Sequence, residues 1–339
     1  MSDTSTDNEE NAKQLQQQTQ KTIIDDPNVE QIEADEDLLS ELPNDIDAID
    51  LINARVSSMG NLGLQRFTNL ENLCLRQNRI HKIECVPTSL KELDLYDNLI
   101  TKIEGLEQST DLINLDLSFN NIKKIKNVDH LKNLENLYFV QNRIRKIENL
   151  EGLSKLTNLE LGGNKIRVIE NLDTLKNLKE LWLGKNKITV LQNLENLTNL
   201  RLLSIQSNRI LRFENLSGLA NCLEELYISY NGLTSLEGIE VLTNLRTLDV
   251  SNNRIEHLTH LKGLKHLEEL WASNNQISSF AEVEEQLGDK EELNTVYFEG
   301  NPLQTSNRAA YVNKVRLCLP QIRQLDATFL SAQTTFAKP

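Results

Sequence analysis

Residues 112–210 read LINLDLSFNNIKKIKNVDHLKN, LENLYFVQNRIRKIENLEGLSK, LTNLELGGNKIRVIENLDTLKN, LKELWLGKNKITVLQNLENLTN and LRLLSIQSNRI. The complete units have 22 residues each, and all five carry an Asn at the same place. A Leu stands eight residues before that Asn, a second Leu five before it, and an apolar residue three before it. This alternation is typical of a short strand with one buried face. The sequence therefore predicts one strand per unit.

The same pattern continues in both directions, with a Leu eight residues before every Asn from Leu70 to Leu293. The Asn positions are Asn78, Asn98, Asn120, Asn142, Asn164, Asn186, Asn208, Asn231, Asn253, Asn275 and Asn301. A side-chain amide has both a carbonyl and an NH2 group, so it can satisfy backbone groups that a tight turn leaves unpaired. We therefore predict a structural ladder of these Asn side chains. A degenerate unit, IDLINARV, has Ala54 in the Asn position and is interpreted as a twelfth coil.

A repeat of this length and pattern indicates a leucine-rich repeat. We predict an α/β fold: a horseshoe-shaped solenoid of about 12 coils of ~22 residues with a parallel sheet on the concave side. Units this short leave room on the convex side only for 3₁₀ or short helical segments. The predicted organisation is an acidic tail (1–40), an N-terminal cap with the degenerate repeat (41–63), leucine-rich repeats (64–303) and a C-terminal cap (304–339).

The two ends of the chain differ from the repeats. The net charge is −14, and residues 1–50 hold 15 Asp/Glu against two Lys. This composition predicts a disordered segment that acts either as a solubilising tail or as a regulatory arm. Near the other end, Tyr311, Val312, Val315 and Leu319 have helical spacing, and Pro320 follows. This spacing predicts a helix that covers the last coil. The longer step from Asn275 to Asn301 contains EEQLGDKEE and predicts a loop or helical extension.

Composition and motifs favour a non-enzymatic intracellular protein. The sequence has no secretory h-region and no apolar run of ~18 residues. Its four cysteines lack CxxC spacing, which favours a reducing compartment. No GxxxxGK or GxSxG motif is present. His257 and His260 form an HxxH with His266 nearby, but nothing supplies further metal ligands. We expect no enzyme activity, no cofactor, no metal and no membrane contact.

Two positions per unit lie between the buried strand residues and are predicted to face the concave side. These 22 positions hold eight carboxylates, five Trp or Tyr and no Lys or Arg. Trp and Tyr are enriched at the energetic centres of protein interfaces. The alternative is that these rings pack on one another along the sheet. The predicted partner-binding residues are Asp94, Asp116, Tyr138, Glu160, Trp182, Glu225, Tyr227, Asp249, Glu269, Trp271 and Tyr297.

The charge pattern also bears on the class of ligand. The acidic concave columns repel phosphate, so we expect no nucleic acid there. The bases follow the Asn positions on one flank, where we interpret them as a solvated edge, with an RNA- or membrane-facing role as the alternative. They are Arg79, Lys82, Lys102, Lys124, Arg143, Lys146, Lys165, Arg167, Lys187 and Arg209.

The unit LxxLxLxxNxIxxIExL, the IENL endings at 147–150 and 169–172, and the closing segment YVNKVRLCLPQIRQLDATF resemble the leucine-rich-repeat regulatory subunits of type 1 protein phosphatase. The resemblance covers roughly residues 45–331. It implies a non-catalytic subunit that holds the phosphatase catalytic subunit in its concave face and controls its assembly and activity. The resemblance also implies that a further inhibitor protein takes part in some complexes. It also implies a monomer when alone, action in nucleus and cytoplasm, and support of chromosome segregation.

The resemblance also assigns contact residues and has departures. It implies contacts from Asp116, Tyr138, Glu160, Trp182, Asp249, Glu269, Trp271 and Tyr297. Tyr138 and Trp182 stand where relatives often have Phe, and the basic-Val-x-Phe docking peptide of many phosphatase regulators is absent. The alternative function is a scaffold of a nuclear ribonucleoprotein or a cytoskeletal, dynein-associated complex.

Overall fold

The computed structural model describes Asp35 and residues 38–330. Most of the predicted acidic tail, and residues 331–339 of the predicted C-terminal cap, lie outside this part of the chain.

The repeats build one continuous parallel sheet in which strand order follows the sequence. Each repeat gives a three-residue strand, and neighbouring strands pair in register, as Leu115 pairs with Leu137. The degenerate repeat supplies the first strand. The strands are β1 Ala48–Asp50, β2 Asn72–Cys74, β3 Glu92–Asp94, β4 Asn114–Asp116, β5 Asn136–Tyr138, β6 Asn158–Glu160, β7 Glu180–Trp182, β8 Leu202–Ser204, β9 Glu225–Tyr227, β10 Thr247–Asp249, β11 Glu269–Trp271 and β12 Thr295–Tyr297. The predicted leucine-rich-repeat solenoid is confirmed.

The core runs unbroken through the coils. The middle residue of every strand from β1 to β12 is buried, and so are the Leu and Ile residues that close each coil. A single coil cannot bury its apolar residues by itself, so each coil is stabilised by its neighbours. Apolar side chains from Leu39 to Leu325 consequently form one cluster.

The ladder Asn side chains join successive coils. In every case Oδ1 accepts a hydrogen bond from a backbone N–H of the preceding coil. Nδ2 donates to a carbonyl of that coil and to one in its own coil, as Asn164 Nδ2 does to Leu161 O at 3.0 Å. The residue before each ladder Asn has a left-handed backbone, with φ between 54° and 79°.

A second amide ladder lies seven residues further on and escaped the sequence analysis. Asn127, Asn149, Asn171, Asn193 and Asn215 have positive φ. Each donates from Nδ2 to a carbonyl of the preceding coil at 2.6–2.8 Å. The IENL endings at 147–150 and 169–172 therefore have a structural basis, since their Asn residues belong to this ladder.

The convex side has the short 3₁₀ segments that the sequence predicts, but only in some coils. Within residues 38–330 they are Met59–Leu62, Leu64–Arg66, Ser217–Leu219 and Ile239–Val241, and most other coils return through turns. The longer unit before Asn301 does form a helix, α1 (Phe280–Leu287). Its Glu282 and Gln286 side chains accept hydrogen bonds from Leu258 N at 2.9 Å and Leu261 N at 3.1 Å in the preceding coil.

The C-terminal segment covers the last coil with α2 (Pro302–Thr305) and α3 (Arg308–Cys318). Tyr311, Val315 and Leu319 are buried. Val312 is 42% exposed, so it is the one of the four apolar residues that does not face the core. Two further strands, β13 (Gln324–Leu325) and β14 (Thr328–Phe329), were not predicted. β13 pairs parallel to β12, and β14 turns back antiparallel to β13. No helix in the described residues is long and apolar enough to cross a membrane.

Candidate protein-binding face

The strands place every predicted binding residue beside a buried middle residue, on the concave surface of the sheet. Asp94, Asp116, Tyr138, Glu160 and Trp182 end β3 to β7, and the other six lie on β9 to β12. Ten of the eleven side chains are half-buried, because their neighbours on adjacent strands lie only ~5 Å away. The exception is Asp249, which is only 8% exposed.

The C-terminal half of this face is aromatic. The Trp271 ring packs edge-on against Tyr227 and Tyr297, with centroids 6.0 and 5.9 Å apart. Tyr227 and Trp271 flank the strand of Asp249. Tyr227 Oη donates to Glu225 Oε2 at 2.7 Å, and Trp271 Nε1 donates to Glu269 Oε2 at 3.0 Å. Burial raises the pKa of Tyr227, and the neighbouring carboxylates raise it further. These rings pack together and still present part of their surface to the groove.

Three Asp residues of this face also serve the fold. The Oδ1 atoms of Asp94, Asp116 and Asp249 accept hydrogen bonds from the backbone N–H two residues later, at 3.0, 2.8 and 2.9 Å. An Asp side chain that bonds its own backbone in this way stabilises the turn that follows the strand. One carboxylate oxygen of each therefore has a structural role.

The N-terminal half is a carboxylate-lined depression of about 670 Å³ that includes Asp94, Asp116, Tyr138 and Glu160. Burial raises the pKa of the Asp116 carboxyl, and it also raises that of Glu160. Such carboxylates gain more than exposed ones from an approaching cation.

Arg76 reaches into this depression and was missed by the sequence analysis. Its Nε donates to Asp94 Oδ2, and its Nη2 lies 3.5 Å from Asp116 Oδ2. The guanidinium also lies over the Tyr96 ring, 5.0 Å from the centroid. Arg76 stands two residues beyond β2, outside the two positions per unit that are predicted to face the concave side. The residues two positions after each strand form a further column, which also contributes Tyr96 and Ser118 to the lining. The polar and aromatic residues of that column were the sequence signal for Arg76.

A row of amides lies within the N-terminal half, and Trp182 follows on β7. Asn136 Nδ2 donates to Asn114 Oδ1 at 2.6 Å, and Asn114 Nδ2 donates to Glu92 Oε1 at 3.1 Å. Trp182 Nε1 lies 3.3 Å from Glu180 Oε2. Internal hydrogen bonds therefore hold these side chains of the concave face in place.

Metal-ligating groups are not clustered: no three or more His, Cys, Asp or Glu side chains within residues 38–330 are arranged to hold an ion. His257 and His266 each pair with a separate glutamate, Glu282 at 2.9 Å and Glu292 at 3.2 Å. The Glu282 carboxylate raises the pKa of His257. All four cysteines are free, half-buried thiols.

The fold and the concave face define a leucine-rich-repeat protein. A family model of the leucine-rich repeat matches residues 153–250, and a model of two such repeats matches residues 88–133. The model for the leucine-rich repeats of “leucine-rich repeat and WD repeat-containing protein 1” matches residues 215–335. An internalin (inlF) of Listeria monocytogenes has a TM-score of 0.64 at 25% identity, covering 88% of this chain and 89% of its own. A leucine-rich-repeat protein of Leptospira interrogans has a TM-score of 0.60 at 26% identity, covering 77% and 73%.

Two curated relatives share one name. Protein phosphatase 1 regulatory subunit SDS22 of Schizosaccharomyces pombe is 76% identical over 308 residues, covering 91% of this chain and 93% of that protein. The SDS22 of Saccharomyces cerevisiae is 46% identical over 85 residues, covering 24% and 25%. The chain belongs to the SDS22 family of protein phosphatase 1 regulatory subunits, which confirms the resemblance found in the sequence.

Proposed function

We propose that this protein is a non-catalytic subunit that binds the catalytic subunit of type 1 protein phosphatase through its concave face. The observation that carries the proposal is the pairing, on one rigid sheet, of half-buried aromatic rings with partly desolvated carboxylates. The name of the Schizosaccharomyces pombe relative supports the choice of partner.

The face has the two properties that a protein partner needs. Trp271 and its two flanking tyrosines offer large apolar surface whose orientation is already fixed by ring packing and hydrogen bonds. Fixed rings lose little conformational entropy on binding. The carboxylates of the N-terminal half complement a basic surface, which favours a correct encounter and disfavours anionic ligands such as nucleic acid.

Bound there, the subunit controls the assembly and activity of the phosphatase, and a further inhibitor protein can join the complex. The proposed sites of action are the nucleus and the cytoplasm, with chromosome segregation among the processes supported. The free subunit is a monomer that binds no membrane.

The test is calorimetric titration of the phosphatase catalytic subunit into wild-type protein, Trp182→Ala and Trp271→Ala. Each truncation is expected to weaken binding by about 2 kcal/mol, roughly a 30-fold rise in Kd. Leu211→Ala is the matched control, because Leu211 is a large apolar residue that is 66% exposed outside the strands. It should bind like wild type, and circular dichroism establishes that every variant is folded.

Wild-type affinity in both tryptophan variants would contradict the proposal. Recovery of splicing or dynein components from cells, in place of a phosphatase, would favour the scaffold alternative.

A further inference from the structure

A second charged surface lies on the flank that follows the ladder Asn residues, in coils four to six. Its cationic groups are Lys123, Lys124, Arg143, Arg145, Lys146 and Lys165, which with Glu148 line a depression of about 490 Å³. We call this surface the basic flank. All six cationic side chains are exposed. Of these six side chains, only Lys146 has its charged group within 4.0 Å of a carboxylate of the described residues, that of Glu170.

This arrangement contrasts with the lysines near the end of the array. Lys262 pairs there with Glu285 at 2.8 Å, and Lys265 pairs with Asp289 at 2.6 Å. On the basic flank five neighbouring cations face solvent without such partners, so they repel one another. An anionic segment laid across them would relieve that repulsion.

The described chain begins in line with this flank. Lys123 and Lys124 stand three and four residues after Asn120, and the equivalent residues of the first coil are Ser57 and Ser58, after Ala54. The carboxylate of Asp35 is bound to these two serines. Its Oδ2 accepts hydrogen bonds from Ser57 N at 2.9 Å, Ser57 Oγ at 2.8 Å and Ser58 N at 2.9 Å. Asp35, which directly follows the acidic segment 1–34 in the sequence, therefore lies in line with the columns that carry the lysines.

Charge and reach both fit these preceding residues. Residues 1–34 contain eight Asp or Glu and two Lys. Adjacent coils are ~4.8 Å apart, so the fourth coil lies roughly 14 Å from the first. An extended chain covers about 3.3 Å per residue. Glu30, five residues before Asp35, can span that distance, and Asp25 and Asp26 can reach the sixth coil.

We infer that residues 1–34 dock on the basic flank of their own chain, where their carboxylates pair with its lysines and arginines. Each exposed ion pair is weak. The attachment at Asp35 makes the binding intramolecular, with an effective concentration of order millimolar. The segment thereby shields the flank from other anionic ligands. The contact is electrostatic and is lost as salt rises.

The test is carbodiimide cross-linking of the full-length protein alone, with cross-linked peptides mapped by mass spectrometry. Carbodiimide joins a carboxylate to a lysine amine only when the two are in contact. Cross-links from Asp25, Asp26, Glu30 or Glu33 should concentrate on the flank lysines. Lysines of another surface, Lys155, Lys176 and Lys179, are equally exposed and should carry at least fivefold fewer. Raising the salt to about 0.5 M should abolish the preference, because the Debye length falls well below 10 Å.

The variant R143Q/R145Q tests the assignment because it removes charge from the flank and leaves every lysine in place. Its flank cross-links should fall severalfold, whereas the control R201Q/R254Q, which neutralises two exposed arginines elsewhere, should keep them. Equal cross-linking of flank and control lysines, or a yield unchanged in R143Q/R145Q, would overturn the inference. So would cross-links joining isotopically labelled to unlabelled chains, because these would assign the contact to a second copy. Since no phosphatase is present, the result is independent of the proposed function.

Discussion

The side chain of a ladder asparagine makes several hydrogen bonds, and an apolar side chain at the same position could make none of them. Asn164 Oδ1 accepts from Ile144 N at 2.9 Å, and its Nδ2 donates to Phe139 O at 2.8 Å in the preceding coil. Asn164 is 6% exposed. Asn164→Ala leaves these buried backbone groups unpaired, so we expect the free energy of unfolding to fall by about 1–3 kcal/mol. Urea denaturation measures the change.

Asn177→Ala is the control for this prediction. Asn177 is exposed and makes one hydrogen bond, to Ser154 O at 2.8 Å, so its loss should stay within about 0.5 kcal/mol. Equal effects of the two substitutions would mean that the ladder contributes nothing specific.

Lys290 is a buried lysine whose ammonium group has no hydrogen-bond acceptor among the described residues. Its side chain is 1% exposed, and its Nζ has no hydrogen-bond partner in the described part of the chain. Burial lowers its pKa from 10.5 to about 8. Between pH 8 and 10.5 the folded state therefore binds fewer protons than the unfolded chain, so the contribution of this group to stability rises with pH across that window. Below pH 8 its destabilising effect is complete.

Lys290→Met should consequently raise the free energy of unfolding at pH 7 by about 1–3 kcal/mol. The advantage of the variant should shrink as the pH rises from 8 to 10.5. Urea unfolding at pH 7, 9 and 10.5 measures the difference between the two proteins, and other titrating groups cancel in it. Lys262→Met, at an exposed lysine, should show no such pH dependence. A constant difference across the window would refute the assignment.

At the scale of the elements, the strands were predictable because the same apolar spacing recurs with every ladder Asn. β13 and β14 were not predictable, because two-residue strands have no period to detect. The exposure of Val312 was not predictable, because apolar spacing alone does not show which positions of a short helix face the core. The binding columns followed from side-chain alternation, but Arg76 and the burial of Asp249 depend on contacts between strands. No single repeat contains those contacts.

The Asp326 carboxylate joins the C-terminal cap to the last coil. Asp326 Oδ2 accepts from Tyr311 Oη at 2.8 Å, and its Oδ1 accepts from Phe298 N at 2.8 Å and Glu299 N at 3.0 Å. The carboxylate therefore links α3 to the end of β12. Tyr311→Phe removes one hydrogen bond to a charged group, and we expect stability to fall by about 1.5–3 kcal/mol. Thermal unfolding followed by circular dichroism measures it. Val312→Ala, beside it on the exposed side, should change stability by less than about 0.5 kcal/mol, and an equal loss there would contradict this account.

At the scale of the whole molecule, the unbroken core predicts a single unfolding transition. Repeat arrays lose cooperativity where the interface between neighbouring units is weak, and here every coil from β1 to β12 joins the same apolar cluster. The two tryptophans report on separate coils, Trp182 in β7 and Trp271 in β11. The variants Trp182→Phe and Trp271→Phe isolate each signal. Within each variant, the urea midpoint from fluorescence should coincide with that from circular dichroism. Midpoints that separate would show that the array unfolds in parts.

The left-handed residue before each ladder Asn has a consequence for how sequences of this architecture can diverge. The eleven residues at this place include Gln, Asp, Phe, Lys, Ser, Tyr, Asn and Gly, but no Val, Ile or Thr. A branch at Cβ adds steric strain in this conformation, so a β-branched residue with positive φ is a genuine outlier. The residue before each ladder Asn is therefore an unfavourable position for a β-branched side chain, although it otherwise varies freely. A designer who adds coils to the array should avoid Val, Ile and Thr at this position in each of them.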